Sequence, residues 1–283
     1  MASPQLHGRR VDLGAGYFTV RDPEFAAVVR RWQERGLVRP WTDTFGVLAL
    51  GEAPGVSSGP MRWATPRGLR SLVRELLEAV PVQTASPMHR LPAGDVILAM
   101  PDPQAARLAT VPDTLDYDPV IAVACGFPER TWPFADAAFV HHDPTIDFVA
   151  DDGARRGDGA PVLVAHSTVQ LARSYLDGPD AAAAPVVAAL RELLPLGEPL
   201  WTHAHRWTFA KPAGQHGSSY HLAEAEDGTR LGLAGDQWSP LGNAARRECL
   251  AFGNRPRSGP GRRDEDVTTV VDVGPKGSRR HGG

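Results

Sequence analysis

Only two cysteines, Cys125 and Cys249, occur in 283 residues. That is too few for a disulfide framework or a cysteine-rich zinc site, and the default compartment is a reducing cytoplasm. Lysine is nearly missing: Lys211 and Lys276 are the two among thirty Lys and Arg, a bias expected of a GC-rich coding sequence. Asparagine is equally rare, at Asn243 and Asn254. No long apolar run is present. Ala181–Leu190, proline included, is about half of the ~20 residues a spanning helix needs. The N-terminal MASPQLHGRR has no apolar core of a secretory signal. Net charge is −3 and the pI about 6.4, so there is no global basic field for nucleic acid or an anionic membrane. What remains is ordinary for a globular chain of one large or two modest domains: 42% hydrophobic and 22% charged residues.

Hydrophobic periodicity predicts mixed elements. Residues 11–20 read as a short strand running into a glycine turn. Asp22-Pro23 opens a helix, with Asp22 as N-cap and Pro23 in the first helical position. Phe25, Val28, Val29 and Trp32 form its apolar stripe, and Gly36 ends it. Thr44–Leu50 is a strand and 51–60 a loop by composition. A second amphipathic helix starts at Thr65-Pro66 and carries Leu69, Leu72, Val73, Leu76, Leu77 and Val80. Val96–Met100 is a continuous apolar strand of the kind buried on both faces, followed by a helical turn over Pro103–Leu108. Val120–Cys125 is a strand, Ala138–Val149 a hairpin about His142-Asp143-Pro144, Arg155–Gly159 a charged turn and Pro161–Ala165 a strand. Ser167–Leu176 reads as a helix capped by Ser167. Val186, Val187, Leu190, Leu193 and Leu194 make a helical stripe ending at Pro195. Trp201–Phe209 and Gly228–Ala234 are strands. Helices and strands do not alternate strictly, so α/β plus α+β in two domains fits better than one doubly wound sheet. Residues 253–266 hold seven Arg, Asp or Glu and no apolar side chain, so 251–283 reads as a disordered tail.

The candidate chemical groups are sparse. His141 and His142 are neighbours in a strand and point to opposite faces, whereas His203 and His205 share one. With no HExxH and no third ligand at recognisable spacing, no metal site is assigned. No G-x-S-x-G nucleophile elbow occurs. Cys125, inside an apolar run, reads as a small buried hydrophobe. Gly14-Ala15-Gly16 lacks the third glycine and the following helix of a dinucleotide fingerprint. Gly235-Asp236 is a turn at a strand end.

In order along the chain, DLGAGYFTVRDPEF (12–25), PRGLRSLVREL (66–76), VILAMPDPQAARL (96–108), HRWTFAKP (205–212) and LAGDQW (233–238) resemble the renalase-like branch of the FAD-dependent amine oxidoreductases. The resemblance spans roughly 12–240. It implies an incomplete, amine oxidase-like FAD-binding domain (1–22, 61–112 and 229–250) interleaved with a mixed-sheet substrate domain (23–60 and 113–228). It implies that Gly14, Ala15, Gly16, Tyr17 and Phe18 pass the flavin ring and that Met100, Pro101, Gly235, Asp236 and Trp238 also contact FAD. Asp236 would lie near the ribityl chain or diphosphate, and His205 and Trp207 would line the substrate cavity. The implied reaction is hydride transfer from an amine or dihydronicotinamide-like donor to the flavin, and from there to oxygen. A small-molecule electron donor and oxygen are therefore the expected partners. No catalytic residue is named.

The departures from that family are equally specific. Its opening strand–GxGxxG–helix unit has no counterpart here, an expected loss of about 35–40 residues, and glycine stands at position 16 where the family carries glutamine. After Trp238 the family continues with P-R-V-E-S/G-A-W-x-S-G. Residues Ala244–Arg255, AARRECLAFGNR, can be back-translated so that reading one base later gives P-R-V-E-S-A-W-L-S-G-T. This predicts a frameshift close to Gly242. The alternative function is thus an inactive truncated remnant, or an incompletely read gene, that does not bind FAD.

Overall fold

The computed structural model describes residues 2–224 and 230–238. The predicted frameshift near Gly242, Cys249 and the tail 251–283 lie outside them.

The chain opens with a two-stranded hairpin, β1 (Gln5–Leu6) and β2 (Arg9–Arg10). An extended segment over 11–20 follows, and in it only Phe18 makes a β-bridge, to Trp63. Helix α1 (Pro23–Glu34) is capped as its sequence predicts: the Asp22 side chain accepts from the Phe25 N–H at 2.6 Å. Next come β3 (Arg39–Ala49), β4 (Gly55–Ala64) and the short α2 (Arg70–Leu76). Then follow β5 (Val96–Ala99), α3 (Asp102–Ala105), β6 (Tyr117–Gly126), β7 (Ala137–His141) and β8 (Ile146–Asp151). The described chain finishes with α4 (Asp152–Arg156), β9 (Val162–Ser167), α5 (Val169–Ser174), α6 (Ala183–Leu193), β10 (Trp201–Pro212), β11 (His221–Glu224) and β12 (Arg230–Ala234).

Seven strands form one mixed sheet in the order β10-β6-β9-β8-β7-β3-β4, in which β3 and β7 are parallel and every other pair antiparallel. A three-stranded sheet, β11-β12-β5, has β12 and β5 parallel. Period-2 alternation explains how the large sheet is buried on both sides. Ile121, Val123 and Cys125 of β6 face Val186, Ala189 and Leu190 of α6. Ala122 and Ala124 face the opposite way, against Val11 and Leu13 of the extended segment. Burial pushes the Cys125 thiol up to about 12, so it behaves as the small hydrophobe its setting predicts.

The second face is therefore covered by extended chain rather than by a helix. Residues 11–18 act as a strap: Val11 and Leu13 pack over β6 and β9, Tyr17 over Phe45, Phe139 and Phe148, and Ala15 and Phe18 against α1 and α2. Buried charge holds it. Arg155 donates to the Asp12 carbonyl at 3.0 Å and the Gly16 carbonyl at 3.4 Å, and pairs with Asp152. Arg156 bridges Asp152 at 3.1 Å and the Asp12 carboxylate at 3.2 Å. Arg9 reaches Asp152 at 2.8 Å. Ser3 donates to Asp12.

Five local expectations are corrected. Residues 51–60 are not all loop: turn-rich composition yields to ladder pairing with β3, and β4 begins at Gly55. The second helix stops at Leu76, because Leu76 and Val80 find nothing to pack on and an unpacked stripe does not propagate a helix. Arg155–Gly159 is only in part a charged turn: Arg155 and Arg156 belong to α4 and are enclosed, and the turn begins at Gly157, which ends α4 in the left-handed conformation. The cap of α5 is Thr168, and Ser167 stays in β9, where its Oγ accepts from the Ile121 N–H at 2.9 Å. The apolar strand β5 is covered on one face only: Ile97 is 74% exposed.

Burial alone would raise the Asp152 carboxyl, but Arg155, Arg156 and Arg9 outweigh it and hold it below the usual range. Asp152→Asn leaves two buried guanidinium groups short of charge and is expected to cost about 3–5 kcal/mol in urea unfolding. The Asp152 contribution is complete above the unfolded carboxylate value of about 3.9 and disappears as pH falls through its lower folded value. The variant's stability should therefore fall less steeply with acid in that window.

Candidate functional site

Parallel strands direct their carboxyl ends to one edge, where open α/β sheets bind ligands. In the small sheet these are the ends of β5 and β12, and five of the residues expected to contact a cofactor come together there. Asp102, the first residue of α3, is the centre of the arrangement. Its fully buried carboxylate accepts from the Leu115 N–H at 3.1 Å and the Gln237 Nε2 at 2.8 Å, and it lies 2.8 Å from His216 Nε2. Gln237 Nε2 also donates to the Met100 carbonyl at 3.0 Å, tying the end of β5 to the end of β12. The His216 ring stacks on Trp238 with centroids 3.6 Å apart. Gly235 has φ +152°, and a Cβ there would meet Gln237 Oε1 at 2.5 Å, so the turn between β12 and Gln237 requires glycine.

Two buried polar atoms at this edge have no hydrogen-bond partner among the described residues: Gln237 Oε1 and Trp238 Nε1. Beside them the Tyr117 hydroxyl donates to Asp236 Oδ1 at 3.3 Å. Burial, then the Asp236 and Asp102 carboxylates, raise the Tyr117 pKa, so Tyr117 stays a donor across the accessible pH range. The edge thus combines a carboxylate, an orphaned carbonyl acceptor, an orphaned indole donor and a phenol. Such a set suits a hydroxylated ligand.

The remaining predicted residues lie along β10 and the strap. Trp207 Nε1 donates to the Leu13 carbonyl at 2.6 Å. A Cβ on Gly14 would sit 3.0 Å from the Trp207 ring, so glycine permits this approach. His205 lies edge-on to Trp207 at 4.8 Å. Two residues beyond Trp207, Phe209 meets Tyr117 edge-on at 5.8 Å. The set of contacts along β10 therefore comprises Gly14 and His205 on Trp207, and Phe209 on Tyr117, which reaches Asp236. Ala15, Gly16, Tyr17 and Phe18 are not part of it. Ala15 and Phe18 face α1 and α2, Tyr17 faces Phe45, and the Gly16 carbonyl is taken by Arg155.

Asp102, Gln237, Tyr117 and His216 were not legible as site residues. Asp102 and Gln237 sit inside the quoted motifs, where no role was read for either. Their significance comes from partners more than a hundred residues away. His166 is fully buried in β9, with its ring 5.5 Å from that of Phe148. Burial, then Lys211 and Arg155, push its pKa down to about 3, which makes it a neutral core group. Among the described residues no group of three or more His, Cys, Asp or Glu could hold a metal ion, and no helix is long and apolar enough to cross a membrane.

No protein-family model matches the sequence. Among solved structures, the chain is similar to a redesigned double mutant of putrescine oxidase, from work on cofactor binding in that enzyme, with TM-score 0.52 and 11% identity over 72% of this chain and 75% of that one. It also matches wild-type putrescine oxidase bound to putrescine, with TM-score 0.48 and 12% identity over the same shares. A third match is a protein assigned as a protoporphyrinogen oxidase from Exiguobacterium sp. 255-15, with TM-score 0.44 and 19% identity over 54% of this chain. The chain spans 41% of the length of that protein. At these identities the first likeness shows the fold: a mixed α/β chain with one large mixed sheet.

Burial, then His203, push the His205 pKa down to about 4, against about 6.5 in an unfolded chain. The neutral ring contributes stability that is whole above about 6.5 and is lost as pH falls toward 4. His205→Gln should flatten thermal stability between those values, and the His205 ring should titrate near 4 by NMR.

Proposed function

We propose that this chain carries the ring-side and substrate-side part of a flavin-dependent oxidoreductase of the amine oxidase type, of the renalase-like kind its motifs resemble. The observation that carries the reading is the gathering of Met100, Pro101, Gly235, Asp236 and Trp238 at the carboxyl ends of β5 and β12, tied by Gln237 and Asp102, in a fold like that of a putrescine oxidase. The residues present fit one end of FAD. The Asp236 carboxylate and Gln237 Oε1 can accept from ribityl hydroxyls, and Trp238 Nε1 can donate to them. Gly14 lets the backbone come close to the Trp207 indole, the aromatic group of β10 that would stand nearest a flavin ring passing this segment. The diphosphate has no such match, for no GxGxxG turn exists in the sequence to present backbone N–H groups.

FAD, when bound, supplies a hydride acceptor that hands electrons on to oxygen. The chain's own groups orient and exclude water. Trp207 is held by its hydrogen bond to Leu13 and walls the donor side. His205, neutral at pH 7, can accept a hydrogen bond from a donor amine and so orient it. Tyr117 keeps Asp236 oriented toward the strand ends.

A second reading, a chain of this ancestry that does not retain FAD, is favoured by the strap. Ala15, Tyr17 and Phe18 are buried against the chain's own cores, so much of the expected ring-facing segment offers no free surface. One experiment separates the two. After incubation with FAD and desalting, the oxidoreductase reading expects the flavin's visible band to stay with the protein. It also expects Asp236→Asn to lower FAD affinity about tenfold, the loss of one charge-assisted hydrogen bond. Soluble, folded wild-type protein without the band establishes the second reading.

A further inference from the structure

Lys211 is one of two lysines among the thirty Lys and Arg of the chain, and the one that the structure describes. It lies in β10, where its register partner on β6 is Asp118. Its ammonium makes one hydrogen bond among the described residues, to Asp147 Oδ2 at 3.4 Å. Asp147 is on β8, and β6 and β9 lie between the two strands, so the lysine side chain crosses the sheet to reach it. An ammonium has three N–H donors, and enclosing one is costly unless they are satisfied. A single long contact leaves donors open. Arg155, by contrast, donates to Asp152 and to two carbonyls.

This end of the sheet lies beyond the strap. Val11 and Leu13 pack on Ala122 and Ala124 of β6, the register partners of His205 and His203, and Asp118 comes four residues before Ala122. The Lys211 and Asp147 side chains keep 13% and 25% of their surface in solvent, whereas those of Arg155 and Asp152 keep 1% and 0%. Trp207 and Phe209 are also partly exposed. Breaks in the ladder place both members of the pair. Ile146 pairs with Ser167 and Phe148 with His166, so Asp147 is the extra residue of a bulge, and β10 slips register between Trp207 and Lys211. Bulges re-aim side chains and recur beside binding sites. The local field is positive, for Lys211 and Arg155 both lower the pKa of His166.

We propose that Lys211 is the anion-binding group of the donor site, and that the donor carries a carboxylate on an aromatic or similarly apolar body. The carboxylate takes the ammonium N–H groups that Asp147 leaves open, while Asp147 holds the side chain across the sheet. The body lies against the Trp207 and Phe209 rings of the same strand. Calling the ligand an electron donor rests on the flavoenzyme reading above. The carboxylate site itself stands on Lys211 and its neighbours, and it is tested without flavin.

The scarcity of lysine makes the test direct. In the full chain with isotope-labelled lysine, Lys211 and Lys276 are the two side chains that give NMR signals, and Lys211→Arg assigns them. Phenylacetate is titrated without added flavin, with phenylacetamide and phenethylamine as neutral and cationic isosteres. Phenylacetate should shift the Lys211 signal to saturation and bind at least about tenfold more tightly than either isostere, the usual margin for a charge-assisted contact. By calorimetry, Lys211→Gln should bind the three alike, and Lys211→Arg, which keeps the charge, should still prefer phenylacetate. Equal binding of the three probes by wild type, an unmoved Lys211 signal, or a preference for phenylacetate that survives in Lys211→Gln overturns the proposal. The wild-type signal decides even where Lys211→Gln does not fold. Phenylacetate bound as expected by a chain that loses FAD on desalting keeps the anion site and removes the flavoenzyme reading. FAD retained without any preference for phenylacetate does the reverse.

Discussion

The burial of Asp152 between arginines is the constraint from which the architecture follows. A seven-stranded sheet has two faces, and helices cover one of them here. The other is closed by the extended residues 11–18, whose backbone pairs at only a few points, Val11 and Leu13 with Pro4 and Ala2 and Phe18 with Trp63. Arg155 sets the strap's position by reaching two of its carbonyls four residues apart, while Arg156 fixes the Asp12 side chain between them. An apolar strap alone could slide by a residue and still bury comparable area. A pair of enclosed guanidinium groups tolerates one register. Here the buried ions specify the arrangement more than they add to its depth, a role for which buried polar groups are well suited.

Local chemistry was legible where it is decided locally. The Asp22-Pro23 start of α1, the hairpin at His142-Asp143-Pro144 and the α6 stripe ending before Pro195 depend on neighbours within a few residues, and all three appear where the sequence places them. Elements decided by distant partners were read wrongly. β4 exists because β3 offers it a ladder, α2 is short because no surface meets Leu76, and Arg155 and Arg156 are interior because the strap arrives from far away in sequence. Composition cannot distinguish a solvated charged turn from an enclosed one, since both contain the same arginines and aspartates.

The candidate site divides along the same line. Motif resemblance located Met100, Pro101, Gly235, Asp236 and Trp238, and they do gather at one sheet edge. It did not locate Asp102 or Gln237, which hold them together, because neither has a local pattern that distinguishes it from a helix cap or a turn residue. The strap residues Ala15 to Phe18 were grouped with the site through motif order alone. Their side chains are distributed instead among separate cores, with Gly14 remaining against Trp207. A motif gives an order along the chain, whereas packing decides which of its side chains come together.

The half-covered small sheet has a consequence for how any ligand at its edge must act. Ile97 and Leu222 are 74% and 63% exposed, so β5, β11 and β12 rest on one packed face and on the Asp102–Gln237 tie. The large sheet is packed on both sides. Local opening free energies follow such differences, which makes the small sheet exchange its amide hydrogens ahead of the seven-stranded one. A ligand seated at Gly235–Trp238 would therefore draw part of its binding free energy into clamping those three strands. Its signature would be a slowing of exchange confined to them, with the seven-stranded sheet left at its own pace.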